Sequence, residues 1–84
     1  MRYEVTTRLT PHEALARAIT HFGPGGVGLD MTSQSDTCLI FEGGGGHVAV
    51  AVQPETPSSS QTVLELETRE WDYPVRQFMQ QVAA

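Results

Sequence analysis

The chain has 84 residues, enough for one domain spanning 1–84 with a thin core. Hydrophobic residues make up 39% and charged residues 18%, which argues against a disordered chain. Ten acids against five bases give a formal net charge of −5, a balance that opposes binding to a nucleic-acid backbone or an anionic membrane surface.

Arg2 to Leu9 alternates. Tyr3, Val5 and Leu9 fall on one face with Thr7 between them; Arg2, Glu4, Thr6 and Arg8 fall on the other, as in a half-buried strand. "TPHEALARAITHFG" follows with the signals of a helix. Thr10 can cap it, Pro11 suits its first position and Glu13 completes a T-x-x-E capping box. Leu15, Ala18, Ile19 and Phe22 recur at i, i+3, i+4 and i+7, making one apolar stripe. Gly23 in a left-handed conformation ends the helix, and Pro24 prevents its continuation.

Val27 to about Ser33 reads as a second strand, with Val27, Leu29 and Met31 on one face. "QSD" is a turn, Thr37 to Glu42 a third strand, "GGGG" an interruption and "HVAVAVQ" a fourth strand. "PETPSSS" is a polar loop, and "QTVLELETR" a fifth strand with Leu64 and Leu66 on one face. The last segment, about Tyr73 to Ala83, reads as a helix with Asp72 as cap, Pro74 in the first turn and Val75, Phe78, Met79 and Val82 as its stripe. The order β-α-β-β-β-β-α, with one apolar stripe per helix, predicts an α+β fold: a five-stranded antiparallel sheet with both helices on one face.

Parity fixes the register. An even loop at Gly43 to Gly46 pairs Phe41 with Val48, Leu39 with Val50, Ile40 with Ala49, Cys38 with Ala51 and Glu42 with His47. An odd loop would turn every side chain over and mix the faces. Leu29 and Met31 join Leu39 and Phe41 only through an odd loop or a bulge at Gln34 to Asp36. Pairing the first strand with the last lets Arg2 and Arg8 face Glu65 and Glu67, which supports the strand order 1-5-4-3-2. The second face then holds Cys38, Ile40, Ala49, Ala51 and Val63 at its centre, ringed by Glu4, Arg8, Asp30, Glu42, His47, Glu65, Glu67 and Arg69. Its apolar centre calls for a cover: a second subunit, a ligand, or long side chains lying down.

Several motifs fail on context. "GPGGVG" at Gly23 to Gly28 matches G-x-G-x-x-G, but a dinucleotide site needs strand, glycines, then a helix N-terminus. Here a helix C-terminus, the negative end of the dipole, precedes the glycines. "GGGG" has no Lys-Ser/Thr behind it and reads as a hairpin turn or a flexible rim beside a ligand. "HEALA" has Ala16 where H-E-x-x-H needs its second histidine, so no metal site and no cofactor are expected. His12 and His21 read as solvated helix residues, and Cys38 as a small packing residue without a basic partner. Glu42 opposite His47, with Asp30 nearby, is the one acid–base constellation in view, and an exposed ion pair is its plain reading. Trp71 and Tyr73 anchor the lead-in to the last helix or gate a ligand.

The order β-α-β4-α, with a C-terminal helix across an antiparallel sheet, resembles the helix-grip superfamily of START-like and polyketide cyclase-like (SRPBCC-type) proteins, in truncated form. The resemblance rests on the order of elements and implies an apolar ligand held between sheet and last helix. With one cysteine and no long apolar run, a cytoplasmic location is expected. The expected function is that of a non-enzymatic domain, binding a small apolar ligand or acting as a binding module. The alternatives are a homodimeric interaction module, by self-association through the second face or an edge strand, and a small cyclase-like enzyme using Asp30, Glu42 or His47.

Overall fold

The structure, a computed structural model, describes residues 1–53 and 61–84; the loop expected from "PETPSSS" lies outside the described residues. The elements are β1 (Arg2–Thr7), α1 (Pro11–Phe22), β2 (Asp30–Gln34), β3 (Cys38–Gly43), β4 (Gly46–Val52), β5 (Thr62–Arg69) and α2 (Asp72–Val82). The strands form one antiparallel sheet in the order β1-β5-β4-β3-β2, the order expected from pairing the first strand with the last.

α1 packs over β3 and β4, and α2 over β1 and β5. Between helices and sheet lies the core. Leu39, Phe41, Val48, Val50, Leu64 and Leu66 rise from the sheet to meet Ala14, Ala18, Phe22, Val75 and Phe78 from the helices. Phe22 stands at its centre, with ring centroids 5.7 Å from Phe41 and 5.3 Å from Phe78. Three threonines are buried among these side chains, each with a hydrogen bond. Thr68 donates to the His47 carbonyl at 2.8 Å and Thr62 to the Leu9 carbonyl at 2.7 Å, while Thr7 accepts from the Leu9 N–H at 3.2 Å. A hydroxyl in an apolar layer is tolerated when a backbone group satisfies it in this way.

α1 begins as its sequence dictates. Thr10 accepts from the Glu13 N–H at 3.1 Å, and the Glu13 carboxylate accepts from the Thr10 N–H at 3.0 Å. Its end differs from expectation. Gly23 is extended, at φ −78° and ψ −166°, and not left-handed. The terminal carbonyls are instead satisfied by the loop folding back: Val27 N–H donates to His21 at 2.8 Å and Leu29 N–H to Phe22 at 2.9 Å. Those donors are therefore unavailable to a ladder, and β2 starts at Asp30, three residues later than the alternation suggests. The parity change comes not from the Gln34 to Asp36 turn, as expected, but from a bulge between Met31 and Ser33 within β2. It puts Met31 opposite Phe41, on the helix side. Yet Met31 is 38% exposed, because β2 lies beyond the main footprint of either helix.

α2 corrects a second expectation. Trp71 occupies its N-cap position without a side-chain capping bond. Asp72, expected as the cap, accepts the Tyr3 hydroxyl at 2.6 Å instead and ties β1 to α2. That bond, with the carboxylate beside it, raises the Tyr3 phenol above its ordinary value. His21 is no solvated residue: its Nε2 lies 3.0 Å from the Pro74 carbonyl, and its ring sits edge-on to Phe22. Since a carbonyl can only accept, Nε2 carries the proton and donates.

Candidate functional site

The outer face of the sheet, away from the helices, is built by the alternate residues of each strand. Across the strands its side chains stand in rows. Arg69, His47, Glu42 and Asp30 form one; Arg2, Glu67, Ala49, Ile40 and Ser33 the next; Glu4, Glu65, Ala51 and Cys38 the third. Thr6 and Val63 continue at the lower end. The sequence-predicted group Asp30, Cys38, Ile40, Glu42, His47, Ala49, Ala51, Val63 and Glu65 thus shares one face. Cys38, Ile40, Ala49, Ala51, Val63 and Glu65 are half-buried, whereas Asp30 and Glu42 are exposed. Among the described residues no helix or strand covers this face.

The backbone partners are the expected ones, but several side chains bond elsewhere. Glu42 lies opposite His47 in the ladder, yet accepts from the Thr32 hydroxyl at 2.8 Å. His47 instead reaches Glu67 across β5, with Nε2 at 3.3 Å from its carboxylate. Glu67 also pairs with Arg2 at 3.2 Å. Its carboxyl is held below the ordinary glutamate range, chiefly by the Arg2 hydrogen bond and next by His47. Arg8 does not join this row: it lies past Thr7, where β1 ends, and the ladder pairs Thr6 with Val63. The acid–base constellation is therefore split: Glu42 bonds Thr32 and His47 bonds Glu67.

Glu4 and Glu65 are directly opposed in β1 and β5, an unfavourable like-charge pair. Gln53 resolves it. Its side-chain amide donates to the Glu65 carboxylate and, at 3.5 Å, to Glu4. One NH2 group offers two donors, so it can serve both acids. Sequence reasoning missed Gln53, although its place at the end of the β4 alternation puts it in the same row as Val63.

Between these polar groups the two alanines leave a shallow depression of about 180 Å³, lined by Arg2, Ala49, Ala51, Glu65 and Glu67. Cys38 is a free thiol beside it in the third row. No group of three or more His, Cys, Asp or Glu side chains among the described residues is placed to hold a metal ion. No helix among the described residues is long and apolar enough to cross a membrane.

The tetraglycine belongs to the scaffold. Gly44 and Gly45, at φ 58° and 81°, form the two-residue turn of the β3–β4 hairpin. A Cβ on Gly43 would lie 2.9 Å from the Leu29 side chain, one on Gly44 2.6 Å from the Trp71 ring, and one on Gly46 2.1 Å from the Arg69 carbonyl oxygen. The Trp71 indole N–H donates to the Gly43 carbonyl at 3.0 Å. Trp71 is thus a clamp on the hairpin, while Tyr73 stands exposed and accepts from Gln77 at 3.2 Å.

These features define a two-layer α+β domain with one face of its sheet uncovered among the described residues. No protein-family model matches the chain, and no curated protein matches it.

Proposed function

We propose that the chain is a non-enzymatic binding domain and that the outer sheet face is its binding surface. The observation that carries this reading is the half-buried stripe Cys38, Ile40, Ala49 and Ala51, apolar at its centre and ringed by paired charges. A face meant only for water has no need of that centre. The space between sheet and helices, where a helix-grip protein would hold its ligand, is filled by Phe22, Phe41 and Phe78. Size then selects the ligand class. The depression of about 180 Å³ falls below the roughly 300 Å³ at which small-molecule pockets begin. It suits one apolar side chain of a partner, or a ligand of that size, with Arg2 and Glu67 orienting polar groups at the rim.

Nuclear magnetic resonance titration against a panel of small apolar fragments and short apolar peptides tests this. The expected result is shift changes clustered on Ile40, Ala49 and Ala51, abolished by Ala51→Arg, which fills the depression. Changes confined to the helices, or silence across the panel, would count against it.

A further inference from the structure

We infer that two copies of this chain join edge to edge through β2, extending the sheet across a two-fold axis.

The two edges of the sheet are unlike. β1 is closed at one end by the chain itself: Ala83 bridges Thr7, and the Ala84 N–H donates to the Thr6 carbonyl at 2.9 Å. The rest of that edge carries Arg2 and Glu4, charged residues of the kind that discourage strand addition. Among the described residues no segment closes the β2 edge. All five of its residues, Asp30 to Gln34, are exposed, and only Asp30 is charged. One open edge among the described residues means that pairing is isologous and stops at two copies, where two open edges would build a filament.

The strand is also self-complementary. Met31 and Gln34 both lie on the helix side, opposite Phe41 and Leu39. A groove of about 370 Å³ runs between α1 and the β2–β3 turn, with Gln34, Leu15, Ile19, Leu39, His12 and Asp36 among its lining. Antiparallel pairing about an axis near Thr32 and Ser33 sets Met31 of one copy against Gln34 of the other, which lines that groove. Each copy then offers an exposed apolar side chain and receives one. Main-chain hydrogen bonds supply affinity, and the groove supplies the side-chain fit, as in other strand-addition complexes.

Sedimentation equilibrium over a concentration series, with hydrogen exchange, tests the assignment. The expected mass rises toward twice the 9.2 kDa of one chain, more readily at higher salt because each copy carries −5. Exchange slows with concentration at Asp30 to Gln34. Met31→Lys, with unchanged circular dichroism, weakens association by at least about tenfold. Ile40→Glu, on the outer face, leaves it intact while removing the ligand response proposed above, so the two readings fail separately. A 9.2 kDa species throughout, or a dimer that Ile40→Glu breaks and Met31→Lys spares, overturns the inference.

Discussion

The glycines of the β3–β4 hairpin differ in what each tolerates. Gly45 needs only its positive φ, since a Cβ there would meet nothing within 4 Å. Gly46 has an ordinary φ but lies against β5, where a Cβ would press on a backbone carbonyl that cannot rotate away. Gly45→Ala should therefore cost about 1–2 kcal/mol, the left-handed penalty alone. Gly46→Ala should cost about 3 kcal/mol, the upper range for forcing an added carbon into a packed site. Urea denaturation of both variants checks the order, and a Gly46→Ala midpoint at or above that of Gly45→Ala refutes it. The sequence permitted a turn at this place but could not show that three of the four glycines are held by neighbours. Those neighbours, Leu29, Trp71 and Arg69, come from other segments of the chain.

At the scale of elements, α1 and α2 contrast. The T-x-x-E box of α1 is local, so four adjacent residues specify it and the structure repeats it. Removing the Thr10 hydroxyl should cost about 1 kcal/mol at neutral pH. The Glu13 carboxyl is held below its ordinary value, first by the Thr10 backbone N–H and then by the Thr10 side chain. A depressed folded-state value stabilises above the unfolded pKa, and that stability is lost as pH falls through the folded value. The gap in thermal midpoint between the native chain and Glu13→Gln should therefore narrow on going from pH 7 into the acid range below the ordinary carboxylate pKa. A constant gap would mean that Glu13 adds nothing. For α2 the local signal misleads, because Asp72 is drawn off by Tyr3, 69 residues earlier. β2 shows the same limit: its alternation begins at Val27, but the loop spends those N–H groups on the carbonyls of α1.

For the whole molecule, register was legible because one face of the sheet is buried, and a one-residue slip would expose all of it, while strand order was legible from the charges that let Arg2 face Glu67. Leu39, Phe41, Val48 and Val50 allow only one hairpin parity. Side-chain pairing on the outer face was less legible. There nothing forces a group to bond its direct opposite, so His47 turns to Glu67, Glu42 to Thr32 and Gln53 to two acids. The same asymmetry separates the costs of mutation. Phe22→Ala empties the meeting point of both helices and the sheet and should cost about 3–5 kcal/mol. Small domains have about 5–15 kcal/mol in all, so this variant should stand near its folding threshold. Ile40→Ala, on the half-buried outer face, should cost about 1 kcal/mol, near the centre of the usual range for point changes. Comparable losses in chemical denaturation would show that the outer face is a second core.

Trp71 is the chain's single tryptophan; its N–H bonds Gly43 and its ring lies over Gly44 at the hairpin tip, while the side chain also packs against the core. Its emission is therefore a built-in optical gauge of the corner where the hairpin tip, 28 residues away in sequence, meets the core beside α2. A red shift of that emission reports the hairpin parting from the start of α2, so unlabelled protein can reveal whether this corner opens before the rest of the fold or together with it.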